Sequence, residues 1–275
     1  MMLLYLLMVL SAFYSPSSCR VVHDFFGHGG CPKFFFSVGG PTILPYPRFV
    51  QICQDLNGID RFATLYDTQN RIPVYSAYRF YPHASSPRSY SWRKEKDLHD
   101  DQQALNEDCL NTCYERGHLY SAYQNNNDEG VHATFTLTNA APQSHYFNVQ
   151  WFRFGEQPID EAVQMACGKN PSFGAYIVTG VVPSNPPKYL TDLDSGTPRR
   201  GHSGVFVNVP HVFWNAFCCK DNNQIIKTGG FHVQSSPNGA DHYIEVKHPN
   251  VAHLENALEH LYGIPGFKVF GGLCV

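Results

Sequence analysis

Setting aside Cys19 at the expected cleavage site, eight of the nine cysteines, Cys31, Cys53, Cys109, Cys113, Cys167, Cys218, Cys219 and Cys274, are spread through the chain beyond an apolar leader, and two of them are adjacent. None sits in a Cys-x-x-Cys pair, so the pattern excludes the common structural zinc sites and reads as a disulfide framework of an oxidising compartment. An even set of eight fits four bridges; a mixture of bridges and free buried thiols is the other outcome. Spacing does not fix the connectivity. The adjacent Cys218 and Cys219 are expected to take different partners, and Cys109 and Cys113, four apart, suit a local bridge.

The leader supports the same compartment. Leu3 to Tyr14 is an apolar run ending in small residues near Ser15 and Ser17. That is the length of a signal-peptide core and too short for a membrane span of roughly 20 apolar residues. The expectation is therefore a signal peptide over residues 1–18, a single domain over 19–275, a secreted, extracellular protein, and no membrane segment in the mature chain. The 275 residues, 43% of them hydrophobic, are ample for one packed core. Nothing in the sequence sets an oligomeric state.

The formal charge of −3 argues against a standing, tight grip on nucleic acid, which calls for a basic surface that releases counterions. A local patch is enough for an enzyme that must release its product. The densest such patch, Arg88-Ser-Tyr-Ser-Trp-Arg93-Lys-Glu-Lys, alternates aromatic and cationic residues, and Arg88 and Arg93 are the candidate substrate-binding residues. A solvated charged loop is the plainer reading of that stretch.

Residues 19–50, rich in Gly, Pro and Phe, read as an irregular arm held by Cys31. Arg61–Asp67 and Ile72–Tyr81 alternate with period two and predict an antiparallel hairpin. Pro82 to Leu105 reads as loop, and Gln124 to Gly130 as an Asn/Asp-rich turn. Val131–Asn139 predicts a strand, with Phe135 and Leu137 on one side and threonines on the other. Ser144 to Cys167 predicts helix. Strand patterns return at Ala175–Val182, Val205–Cys218 and Gln224–Val233, and Val251, Leu254, Leu258 and Leu261 recur at helical spacing before Gly263. Strands, an inserted helix, strands again and a final helix make an α+β chain with a largely antiparallel sheet flanked by helices.

The chemistry concentrates in Glu115-Arg-Gly-His118, Thr138-Asn139-Ala-Ala-Pro-Gln143 and Asn148, followed by Glu156. A histidine titrating near pH 6.5 is suited to take a proton from water, so His118 is the candidate general base. Arg116, two residues earlier on a strand, shares its face and suits a phosphate. Asn148 offers a neutral amide oxygen, and Mg²⁺ takes oxygen ligands while keeping several waters, so one protein ligand suffices. Glu156 shares a helix face with Asn148 and could hold water around the ion. Taken singly, each residue has a bland reading as a strand-end, turn or helix-surface residue; the joint order is what carries the assignment.

That motif series resembles the DNA/RNA non-specific endonuclease family with its ββα-metal core. The runs Arg61-Phe-Ala-Thr-Leu-Tyr-Asp, Phe135-Thr-Leu-Thr-Asn139 and Val209-Pro-His-Val-Phe-Trp214 resemble its secreted, endonuclease domain-containing 1-like branch. The resemblance implies a metal-dependent nuclease with DNA and RNA as substrates, a single Mg²⁺ (or another divalent ion such as Mn²⁺) on Asn148, and Asn139 in the catalytic set with His118, Arg116 and Glu156. Two positions depart from the family pattern: Glu115 stands where an aspartate is usual, and Ser121 near a common proline. The alternative they leave open is a catalytically inactive, secreted, disulfide-rich binding protein on the same scaffold.

Overall fold

The computed structural model describes residues 20–37, 40–81, 90–167, 174–198, 204–221, 224–235 and 243–274. The leader, and with it the expected cleavage region, lies outside the described residues. Eight strands form one sheet in the order β1 (Arg20–Val22), β2 (Phe49–Leu56), β3 (Ile59–Asp67), β4 (Ile72–Arg79), β7 (Gly174–Val182), β8 (Val212–Asp221), β9 (Gln224–Ser235) and β10 (Tyr243–His248). Every neighbouring pair in it is antiparallel. The β2–β3 connection is Asn57-Gly58, both at positive φ (58° and 79°), the two-residue turn whose twist matches that of the strands. The hairpin expected from Arg61 and Ile72 onward is β3–β4, with Ala63 opposite Ala77.

The sheet is buried on both faces. On one, Leu65, Val74, Trp214 and Cys218 pack under the N-terminal arm (Phe25, Phe34, Phe35), the last helix, and the tail around Phe267 and Phe270. That helix, α4 (Val251–Tyr262), starts at Asn250, whose side chain accepts from His253 N, and stops at Gly263 at φ 66°; its Tyr262 hydroxyl accepts from Trp214 Nε1 at 2.9 Å. On the other face Phe62, Tyr78, Ile177, Phe213 and Phe231 pack against Leu119, Tyr120, Trp151, Ile159 and Val163. All of these last five belong to the long excursion between β4 and β7, which carries the two-stranded sheet of β5 (Tyr114–His118) and β6 (Ala140–Ser144) and three helices, α1 (Asp128–Thr134), α2 (His145–Trp151) and α3 (Gln157–Cys167).

The disulfides fasten both layers to the sheet. Cys31–Cys53 ties the arm to β2, Cys218–Cys274 ties the tail to β8, and Cys167–Cys219 ties the end of α3 to the opposite face of β8. Successive strand residues point to opposite faces, which is why the adjacent cysteines reach different layers. Among the described residues three bridges are seen, where four were expected. The expected Cys109–Cys113 clasp is absent, and Cys113 is an exposed thiol.

Three sequence expectations change. Val131–Asn139 is not a strand: Asn127 caps a helix by accepting from Gly130 N at 2.7 Å, and Leu137–Asn139 is a 3-10 turn. Its threonines turn inward to polar partners, Thr134 to Val131 O and Thr136 and Thr138 to Glu95 Oε1. Local side-chain bonds of this kind compete with strand pairing. The strand expected from Val205 begins only at Val212, beyond Pro210, which has no N–H to give a ladder. The edge strands β1 and β10 have no counterpart in the sequence pattern read above. No helix among the described residues is long and apolar enough to cross a membrane.

Candidate active site

β5, β6 and α2 form one compact ββα unit. Arg116 stands opposite Pro142 and His118 opposite Ala140, and Ser144 links β6 to α2 by accepting from Phe147 N at 3.2 Å. Gly117 is required here: a Cβ would lie 2.1 Å from the side chain of Gln143, which is 1% exposed. Asn139 is a clamp. Its Oδ1 accepts from Tyr120 N and Ser76 Oγ, both at 2.9 Å, and its Nδ2 donates to Tyr120 O and Thr134 O, both at 3.0 Å. With Leu119 N also donating to Asn139 O, the backbone just after His118 is fixed to β4 and α1. No group of Asn139 is left over for a substrate.

His118 ends β5. Its half-buried ring lies against Trp92 (4.6 Å between centroids) and edge-on to Phe135 (4.7 Å), and its Nε2 is buried with no hydrogen-bond partner. Loss of hydration in this aromatic setting pushes the imidazole down to about 4, so it is neutral at pH 7. Arg116, on the same face of β5, donates from Nη2 to Asn106 O at 2.8 Å, and its Nε is buried without a partner.

Glu115 points to the other face and meets α2. Its Oε2 accepts from Asn148 Nδ2 at 2.6 Å and its Oε1 from His145 Nδ1 at 2.7 Å. Partial burial works to raise this carboxyl, but the bonds from Asn148 and His145 outweigh it and hold it below the usual range. Because the amide nitrogen is engaged, the oxygen of Asn148 is the atom left to face a ligand.

Between α2 and α3 the helix makes a π turn, Phe152–Glu156. Such a turn absorbs one extra residue, so Asn148 and Glu156, eight apart, stand on one side of the helix as an i, i+7 pair does. Gly155 permits it: a Cβ there would come 2.9 Å from the Trp151 ring. Glu156 is 9% exposed and accepts from Ser121 Oγ at 2.5 Å. Burial raises its carboxyl to about 7 against the lowering effect of that bond. The segment 115–121 thus touches the helix at both Asn148 and Glu156, with His118 between the two anchor points.

The two candidate substrate arginines fare differently from expectation. Arg88 lies outside the described residues. Arg93 is turned inward: its Nη2 donates to His132 O (3.3 Å) and Ala133 O (3.2 Å), the last carbonyls of α1. A cation is favoured at that helix end, so this arginine closes α1 instead of reaching outward. Sequence reasoning missed Ser121 as the partner of Glu156, and His145 and Glu115 as the pair that orients Asn148. Only the distance in sequence hid them.

The DNA/RNA non-specific endonuclease family matches residues 47–264. The chain belongs to that family. Within it, the chain is 35% identical over 215 residues to an endonuclease domain-containing 1 protein of Homo sapiens, and 31% identical over 215 residues to that of Mus musculus. Each alignment takes in 70% of this chain but 39% of the relative, so the chain spans about two-fifths of the curated proteins it matches. Among solved structures, the crystal structure of the EndoG/EndoGI complex aligns with a TM-score of 0.53 at 17% identity, over 74% of this chain and 82% of that one. The fold is therefore α+β of the ββα-metal nuclease type, with the large antiparallel sheet as its frame.

Proposed function

We propose that this protein is a secreted, divalent-metal-dependent endonuclease that hydrolyses phosphodiester bonds of DNA and RNA through backbone contacts. The observations that carry the reading are a neutral imidazole at the end of β5 whose buried Nε2 has no partner and, on the helix packed against that strand, an asparagine whose amide nitrogen is tied back by Glu115.

The donor set fits a hard cation that keeps most of its water. Among the described residues there is no cluster of three or more His, Cys, Asp or Glu side chains for a metal, whereas Asn148 presents an amide oxygen and Glu156 a carboxylate on the same side of the helix. Mg²⁺ or Mn²⁺ held there would neutralise charge on the phosphate and assist the leaving oxygen. His118, neutral at working pH, takes the proton of the attacking water, and the aromatic walls of Trp92 and Phe135 fix its ring. Glu115 keeps Asn148 from turning its N–H groups toward the site. Asn139 holds the strand end that carries His118. Arg116, on the same face of β5 as His118 and with an unpartnered Nε, is the arginine suited to a bound phosphate.

The test is digestion of supercoiled plasmid and single-stranded RNA by the oxidised chain, with Mg²⁺ or EDTA, beside a folded His118→Ala variant. Metal-dependent cutting of both substrates should fall by at least 10²-fold in the variant. Intact folding with no cutting by the wild type in any divalent ion would instead favour the inactive binding scaffold. Some support for that second reading comes from Arg93 and Arg116, both of which donate to backbone carbonyls.

A further inference from the structure

A cleft of about 290 Å³ lies between α2 and β10, on the helix that carries Asn148. Tyr146 and Tyr243 wall it with nearly parallel rings, 6.3 Å apart at 21°. Trp151 lines it at 1% exposure, and its Nε1–H is buried with no partner. Glu245 stands at its rim, 3.5 Å from Lys247. Phe154, 47% exposed, adds a further aromatic edge. None of these residues is used by the chemistry above.

We infer that this cleft binds one unpaired base of the substrate, with guanine preferred, and so biases the nuclease toward single-stranded sites. This rests on the nuclease reading for its substrate, although the binding itself needs no turnover.

Three observations support the assignment. Two aromatic rings separated by more than one contact layer, at 3.5–4.0 Å per layer, form a slot that a planar ring completes after a small outward turn of Tyr146, which is 49% exposed. A volume near 300 Å³ is at the low end for ligand clefts and suits a single ring system. A carboxylate at the rim accepts ring N–H and amino groups, which guanine presents next to its carbonyl and adenine does not. Pairing in a duplex hides that edge. The cleft also answers the charge problem: stacking is sequence-tolerant and needs no basic surface, and this chain has a net charge of −3. A helix is roughly 10 Å across, so a strand whose phosphate lies at Asn148 has a neighbouring base within two or three nucleotides of the cleft.

The experiment uses anisotropy of short single-stranded oligonucleotides, thymine-flanked with one central guanine, adenine, cytosine or abasic site, and of a duplex, on the full oxidised chain in EDTA. The variants are Tyr146→Ala and Glu245→Gln, both at exposed positions. The wild type should bind the guanine strand at least fivefold more tightly than the abasic one. Tyr146→Ala should abolish that ratio while leaving duplex binding and plasmid nicking unchanged, and Glu245→Gln should reduce only the advantage of guanine over adenine. Equal binding of guanine and abasic strands, or a preference for adenine or cytosine, overturns the inference. If the base preference holds and no substrate is ever cut, the nuclease reading falls and the cleft stands; cutting that Tyr146→Ala leaves unchanged on every substrate, with no base preference, does the reverse.

Discussion

Ser121→Ala isolates the titration of Glu156, the buried carboxyl of the candidate site. Glu156 is buried, its carboxyl already sits at about 7, and a single hydroxyl, Ser121 Oγ at 2.5 Å, is the bond that favours its ionised form. A hydrogen bond to a charged group contributes about 1.5–3 kcal/mol, and about 1.4 kcal/mol corresponds to one pH unit. Deleting the hydroxyl should therefore move the ionisation of Glu156 up by roughly one to two pH units. His118, at about 4, is neutral throughout that range and contributes nothing to the titration. The assay is the ionisation of Glu156 in the metal-free chain, followed by its carboxyl signal in isotope-edited NMR between pH 5 and 9 in EDTA at fixed ionic strength. The wild type should titrate in a single step near 7, Ser121→Ala in a step displaced upward, and Ser121→Thr in one close to the wild type. The same midpoint in wild type and Ser121→Ala would refute the reasoning, because the hydroxyl would then not favour the ionised carboxyl.

The same two groups act on stability with opposite signs. Glu156 rises from 4.5 to about 7 on folding, so its share of stability falls as pH climbs through that window, whereas His118 drops from 6.5 to about 4, so its share falls as pH descends. Between pH 4.5 and 6.5 the slopes nearly cancel; Glu156→Gln should leave a net gain of about 2–3 kcal/mol from pH 4.5 to 6.5 in urea unfolding, where the wild type is nearly flat. Gly117→Ala drives a methyl into Gln143 and should cost about 1–3 kcal/mol, read as a lower melting temperature, with activity falling as His118 shifts. Cys218→Ser with Cys274→Ser opens a bridge spanning 56 residues and should cost about 4 kcal/mol in denaturant, without abolishing metal binding by calorimetry. Asn139→Ala strips four hydrogen bonds at once; by circular dichroism it should fail to reach the native state at 37 °C, which separates a positioning asparagine from a chemical one.

What the sequence made legible were the features whose cause is local. The Cys218-Cys219 step declared two faces because strand side chains alternate, and α4 was bounded by its apolar spacing and by Gly263. The β3–β4 hairpin followed from period-two alternation. The order of Glu115, Arg116, His118, Asn139, Asn148 and Glu156 named residues that the fold gathers around β5, β6 and the α2–α3 helix. The failures had tertiary causes. Thr134, Thr136 and Thr138 alternate like a strand, but their hydroxyls serve a buried carboxylate and a helix carbonyl, and no periodicity distinguishes those uses. Arg93 looked like a hand for phosphate because nothing in its neighbourhood of sequence reveals that α1 ends beside it.

The π turn shows where spacing along a regular helix misleads. Asn148 and Glu156 were expected on one face of a regular helix, where a separation of eight leaves them about 80° apart. The extra residue absorbed at Phe152–Glu156 brings them close to alignment, and it is Gly155 against the Trp151 ring that allows the backbone to take it. The same Trp151 lines the cleft proposed for the base. Gly155→Ala would therefore strain the turn from the side of the Glu156 carboxylate and the cleft together. A variant that displaced the metal-free titration of Glu156 and also lost the single-strand preference, while Tyr146→Ala lost only the second, would locate the coupling between base binding and the candidate site in this one turn of helix.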